Sequence, residues 1–196
     1  MKTVCVFCGS ADGIHPDYYE GAVGMGRHLA EKGIQLVYGA GKTGLMGAVA
    51  DGVLAAGGQV TGIVPSSLNS PALIHANLTR LEVVGDIHTR KARMNALADA
   101  LIALPGGYGT FDELFEALTW AQIGIQLKPI GLLNLRGYFN PAMALIKHAL
   151  AEKFIYPEHV ELLRIADTPE QLIQLLEDFR FPENMDRWVN REEKST

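Results

Sequence analysis

Short apolar runs alternate with helix-length amphipathic stretches along almost the whole chain. Thr3–Cys8 reads as a buried strand, and Tyr18–Lys32 as a helix closed by Gly33. Gln35–Tyr38 reads as a second strand, Leu45–Ala56 as a helix, and Gln59–Val64 as a third strand stopped by Pro65. Residues 66–78 are rich in Ser, Asn and Pro and read as a loop. Leu81–Val84 is a short strand, Ile87–Ala98 a helix, Ala100–Leu104 a strand, and Phe111–Ile123 a helix. Pro129–Leu133 and Leu162–Ala166 are the last strands. Pro141–Glu152 and Thr168–Phe179 are the last helices. Thr168, Pro169 and Gln171 supply a helix start by cap, first-turn proline and third-position glutamine.

Strands separated by helices predict an α/β, Rossmann-like parallel sheet with helices on both faces, in a single domain. That domain is expected over residues 1–181, with a polar tail over 182–196. Ligands of such sheets bind beyond the carboxyl ends of the strands. Loops 9–16, 39–44, 65–78 and 105–110 are therefore where a site is expected.

Composition narrows the picture. The chain has 196 residues, 48% of them hydrophobic, and 21 glycines, which suits one α/β core with tight strand-to-helix turns. A formal net charge of −5 argues against nucleic acid as a bulk partner. A single phosphate on backbone N–H groups remains open. The N-terminus is unlike a signal peptide and no apolar run approaches a membrane span, so the cytoplasm is expected and a membrane partner is not. Cys5 and Cys8 form C-x-x-C inside an apolar run, which favours two core residues over a redox pair. The six histidines are scattered, none at metal-ligand spacing, so no metal is expected.

Two glycine loops and one basic pair carry the candidate chemistry. Gly39–Gly44 matches G-x-G-x-x-G, but no acidic residue follows at the distance a dinucleotide site wants. Lys42-Thr43 invites an ATP-binding P-loop, which position 36, a leucine, excludes. A wall of a nucleotide pocket is the remaining functional reading. Pro105-Gly106-Gly107-Tyr108-Gly109-Thr110 is the stronger loop. Its N–H groups sit at a helix start and suit a monophosphate. Thr110 and Glu113 also have capping-box spacing, a purely structural role that does not exclude a catalytic one. Asp112 points about 100° away around the helix and is expected to matter less. Arg90 could be the outer member of an Asp86–Arg90 pair on a solvated face, or a phosphate or carboxylate ligand.

Pro105–Glu113 resembles the P-G-G-x-G-T-x-x-E signature of the LOG family of phosphoribohydrolases. Arg90–Met94 resembles its R-K-x-x-M, and Gly39–Gly47 is similar to its G-G-G-x-x-G-L-M-G. Cys8-Gly9-Ser10, Thr119–Gln122 and Lys128–Leu133 also resemble family stretches. The resemblance implies a homodimer that hydrolyses N⁶-substituted adenosine 5′-monophosphates to the free base and ribose 5-phosphate, with no cofactor. It implies Arg90 and Glu113 as catalytic residues. Substrate contacts are implied for Ser10, for Gly41, Gly44, Met46 and Gly47, and for Lys91 and Met94. They are also implied for Pro105, Gly106, Gly107, Tyr108, Gly109, Thr110, Phe111, Asp112 and Thr119. Large side chains on one helix, Leu114, Phe115, Leu118 and Trp120, exceed what one buried face needs and point the same way on assembly. Two departures stand out. Ala40 replaces a glycine, and Ser66–Ala76 lacks an expected acidic residue, which puts base preference in question. A nucleosidase of wide base scope and a non-catalytic nucleotide carrier are the competing functions.

Overall fold

The computed structural model describes residues 1–183 and Met185. The expected tail therefore falls almost wholly outside the described residues. Seven strands form one sheet: β1 (Thr3–Phe7), β2 (Gln35–Tyr38), β3 (Val60–Pro65), β4 (Arg80–Val84), β5 (Ala100–Ala103), β6 (Ile130–Leu133) and β7 (Leu163–Ala166). Their order is β4-β3-β2-β1-β5-β6-β7, with every neighbouring pair parallel. The α/β Rossmann-like expectation holds.

The helices are α1 (Pro16–Glu31), α2 (Gly44–Ala55), α3 (Ile87–Leu97), α4 (Tyr108–Gln122), α5 (Asn140–Ala151), α6 (Pro157–Val160) and α7 (Pro169–Glu177). Thr168 caps α7, its hydroxyl accepting from the Gln171 N–H at 3.4 Å. The single turn α6 is too short to show periodicity in the sequence. Residues 66–78 are less irregular than expected, with a 3₁₀ turn at Ser66–Leu68 and a bridge between Gly41 and Ile74.

The sheet divides the apolar interior in two. On one face α1, α2 and α7 bury Met25, Leu29, Val49 and Leu172 against Val4, Val6 and Leu36. On the other α3, α4 and α5 bury Met94, Leu114, Ala117 and Ile146 against Cys5, Phe7 and Val37. Cys5 and Cys8 thus belong to opposite faces. Both thiols are free, and burial raises both above the ordinary range.

The chain runs outward from β1 through β2 and β3 to β4, then returns to pair β5 beside β1. The crevice expected where strand order reverses therefore opens between the β1 and β5 loops. α1 and α2 approach each other through glycine. A Cβ on Gly26 would lie 2.1 Å from the Val49 carbonyl oxygen, and one on Gly52 would lie 2.3 Å from that of Val23. These contacts are to backbone, which cannot swing aside. Gly26→Ala is expected to destabilise by about 1–3 kcal/mol or more, lowering the melting temperature by several degrees. An unchanged melting curve would show that α1 and α2 can separate freely.

Candidate active site

The loops after β1, β2 and β5 are sewn together by backbone. The Gly9 N–H donates to the Pro105 oxygen at 3.0 Å, and the Met46 N–H to the Gly9 oxygen at 3.1 Å. The Thr43 hydroxyl donates to the Ser10 oxygen at 3.1 Å. Gly44 has φ +63°, and a Cβ there would lie 2.2 Å from the Ser10 carbonyl carbon. Gly47 packs as tightly on Lys42. Ser10, Gly41, Gly44, Met46 and Gly47 thus form one wall, with the Met46 side chain lying along Gly39 and Gly41.

The second wall is the start of α4. The helix begins at Tyr108, with Gly107 at the N-cap position and no side-chain cap, three residues earlier than the sequence pattern indicates. This overturns the capping box. Thr110 is buried inside the first turn, its hydroxyl turned toward Gly106, where a Cβ would lie 2.1 Å from Oγ1. The Tyr138 hydroxyl donates to the Gly106 carbonyl oxygen and braces the loop from α5's side. Phe111 lies parallel to the Tyr138 ring, centroids 6.5 Å apart. Gly107, Tyr108 and Gly109 are exposed. First-turn N–H groups have no acceptor within their helix, so this end can cradle an anion.

Glu113 falls in the second turn of α4 and is buried, as is most of Arg90. Their charged groups approach to 3.7 Å, an ion pair without a hydrogen bond. Arg90 is held independently. Its Nε–H donates to the Ile63 oxygen at 3.2 Å, and its guanidinium occupies the space a side chain on Gly39 would need. The expected Asp86–Arg90 side-chain pair is not formed. Asp86 instead caps α3, accepting from the His88 and Thr89 N–H groups at 2.8 and 2.9 Å and from the Thr89 hydroxyl. Lys91 is buried too, 2.9 Å from Asp112 and 3.0 Å from Glu116.

Burial pushes the Glu113 carboxyl up to about 7, against the opposing pull of Arg90. A carboxylate titrating there can accept or return a proton near neutral pH. Two expected contacts lie elsewhere. Met94 is enclosed in the core, and Thr119 sits on the α4 surface, its hydroxyl donating to the Phe115 oxygen at 2.7 Å. Tyr138, Ile63 and Glu116 were not singled out from sequence. Only Glu116 left a signal, as the i+4 partner of Asp112. Among the described residues, no cluster of three or more His, Cys, Asp or Glu is placed to hold a metal ion. No helix among them is long and apolar enough to cross a membrane.

Residues 46–176 match the profile of a family described as "Possible lysine decarboxylase". Over 179 residues the chain is 44% identical to a probable cytokinin riboside 5′-monophosphate phosphoribohydrolase, LOGL3, of Oryza sativa subsp. japonica, covering 91% of this chain and 85% of that one. It is equally similar, at 44%, to the cytokinin riboside 5′-monophosphate phosphoribohydrolase LOG7 of Arabidopsis thaliana, covering 91% and 82%. This chain belongs to the LOG family. Among solved structures it is similar to TM1055, with TM-score 0.71 and 26% identity over 91% of this chain and all of that one. It is also similar to a molybdenum cofactor binding protein of Rippkaea orientalis, with TM-score 0.68 and 23% identity over 90% and 96%. That second likeness is one of fold.

Two features of this LOG protein bear on the comparison. Ala40, at the glycine position, is buried with φ +65°, a left-handed backbone that costs an alanine about 1–2 kcal/mol. The decarboxylase description finds no chemistry in Lys91. Burial pulls its pKa down, but bonds to Asp112 and Glu116 outweigh that and hold the ammonium above its ordinary value. An amine so charged is a poor Schiff-base nucleophile.

The raised Glu113 pKa has a consequence for stability. Between about 4.5 and 7 the folded protein keeps a proton that the unfolded chain has lost, so folding stability falls as pH rises through that window. The Glu113→Gln variant lacks this loss. Melting curves across pH 4–8 are expected to drift in favour of the variant between pH 4.5 and 7 and to run parallel above it. A constant offset would mean Glu113 titrates as an ordinary surface carboxylate.

Proposed function

We propose that the protein hydrolyses the N-glycosidic bond of N⁶-substituted adenosine 5′-monophosphates, releasing the free base and ribose 5-phosphate. The observation that carries this reading is the placement of a buried, Arg90-paired carboxylate, Glu113, one turn beyond the anion-binding start of its own helix. The names of the 44%-identical relatives support it.

The 5′-phosphate rests on the N–H groups of Gly107–Thr110 and fixes the sugar, so its binding energy serves orientation. Glycosidic cleavage passes through an oxocarbenium-like sugar. The C1′–N9 bond breaks with its electron pair going to the base. Water supplies the oxygen that bonds C1′. Glu113 orients that water, takes its proton and stabilises the cationic sugar; the base takes up a proton from solvent. Arg90 steadies Glu113 in its ionised form. The reaction belongs in the cytoplasm, where the thiols of Cys5 and Cys8 stay reduced.

A nucleosidase of wide base scope is the second reading. It is favoured by the absence of any acidic residue between Pro65 and Leu81, the segment that borders a cavity of about 310 Å³ lined by Ile74, Ala76 and Leu78. Rates on AMP, GMP, CMP and isopentenyl-AMP separate the two. Adenosine is expected to be cleaved far more slowly than AMP, and Glu113→Gln to lower kcat by a factor on the order of 10² while leaving the fold intact. Equal kcat/KM for adenosine and AMP would sink the phosphate loop. Near wild-type kcat in the variant would remove Glu113 from the chemistry. Release of no base at all would leave a nucleotide carrier.

A homodimer completes the proposal. Of the large side chains that the sequence counted toward assembly, Leu114 and Leu118 pack into the core, whereas Phe115 on α4 and Ile123, Ile125 and Leu127 just beyond it are exposed, with Ile125 at 68% and Leu127 at 55%. Apolar side chains gathered in this way suit a second copy. Light scattering at micromolar concentration should give twice the chain mass or a multiple of it; a monomer mass would refute the assembly.

A further inference from the structure

Lys91 is the one buried ammonium beside the site, and its partners are not a ligand's. Its side chain is 8% exposed, and Nζ lies 2.9 Å from Asp112 Oδ2 and 3.0 Å from Glu116 Oε1. These two carboxylates are one turn apart on α4 and straddle Glu113. The neighbouring cation on α3, Arg90, pairs with Glu113 itself at 3.7 Å. Consecutive cations on one helix thus take interleaved anions on the other. Glu116 depends on Lys91 entirely: its second carboxylate oxygen is buried without a partner among the described residues.

We propose that Lys91 is a positioning residue for Glu113: it locks the second turn of α4 onto α3 and offsets part of the negative charge of Asp112 and Glu116, so that Glu113 can ionise where it faces the reacting sugar. This rests on the reading of Glu113 as the reactive group. An ammonium has three donors, and two are spent inside the protein. A substrate contact through Lys91 would have to compete with two carboxylates already in place.

The groups that act on Glu113 are known from every element packed on it. Arg90 and Lys91 on α3 lower its pKa, while Asp112 and Glu116 on α4 raise it. The thiols of Cys5 on β1 and of Cys8 just after it feel the Glu113 charge in turn and remain protonated. Removing Lys91 deletes one lowering charge and unmasks two raising ones. A lysine that only braced two helices would change stability and leave this titration where it was.

The test is an NMR titration of the full chain with ¹³C-labelled glutamate side chains, the Glu113 signal being identified by its loss in Glu113→Gln. Lys91→Met is expected to move the Glu113 midpoint upward by about one unit, a tenfold change in its ionisation constant. Kinetics on AMP should follow: the acidic limb of kcat moves up with it, and KM changes little. Lys91→Arg should hold the midpoint near that of the wild type. Glu116→Gln, which removes a raising charge and keeps Lys91, should move it down, and it reads out the same coupling if Lys91→Met fails to fold. An unmoved midpoint in folded Lys91→Met, or in Glu116→Gln where Lys91→Met fails to fold, overturns the proposal; so does a large rise in KM at constant kcat, which would make Lys91 a phosphate ligand. The titration needs no substrate. A chain that titrates as expected and cleaves no nucleotide rejects the hydrolase reading alone, whereas AMP cleavage with an unmoved midpoint rejects the role of Lys91 alone.

Discussion

Five charged side chains are packed between α3 and α4, and the rest of the site depends on how their charges are balanced. An ion removed from water costs several kcal/mol unless partners compensate it. Arg90 and Lys91 supply two positive charges; Asp112, Glu113 and Glu116 supply three negative ones. The surplus is relieved at Glu113, the carboxylate with the longest contact, whose burial makes it the one that holds a proton near neutral pH. The neighbouring glycine at position 39 is explained by the same balance, because the Arg90 guanidinium stands where a side chain would be. So is the anchoring of Arg90 on a strand carbonyl, which holds the cation in place whatever Glu113's proton does.

Sheet topology delivers this cluster to the right place. Because β1 and β5 are neighbours although remote in sequence, their loops open on one crevice. The bonds from Gly9 to Pro105 and from Met46 to Gly9 then fix three loops as a single body. The helix start proposed to cradle the phosphate and the buried carboxylate share α4, so the distance between them is set by helix geometry and not by loop flexibility.

Most of the architecture was legible because buried strands and amphipathic helices leave different periods in the sequence. All seven strands and all helices except the single turn α6 were readable, with ends shifted by a few residues. The larger error, at the start of α4, is instructive. Gly107 and Gly109 are poor helix formers, so local propensity favours a later start at Phe111. Tertiary contacts of Thr110 with Gly106 and of Tyr138 with the same carbonyl fix the earlier one. That shift moved Glu113 from the capping position of the first turn to a buried place in the second. That Arg90 and Glu113 belong to one site was reached only through resemblance, and their pairing was not reached at all, since nothing in local spacing links residues on two helices separated by a strand. The partners of Lys91 were invisible for the same reason, and the backbone carbonyls that hold Arg90 and Tyr138 have no signature at all.

The segment from Ser66 to Leu78 is fastened differently from the rest of the site. Ile74 bridges Gly41, the His75 N–H donates to the Ala40 oxygen at 2.9 Å, and the Lys42 N–H to the Leu73 oxygen at 3.0 Å. Side chains add three further ties: the His75 ring lies 3.0 Å from Asp51, Lys42 Nζ donates to the Pro71 oxygen at 3.1 Å, and the Ser66 hydroxyl donates to the Gly85 oxygen at 3.1 Å. Main-chain bonds are blind to side-chain identity. Side chains at exposed positions such as Asn69 and Pro71 can therefore be exchanged without breaking these main-chain bonds or the ion pairs behind them. The reactive centre is thus fixed by side-chain ion pairs, while the adjoining strap keeps its path chiefly through main-chain bonds, so what its exposed positions present can change without a change of path.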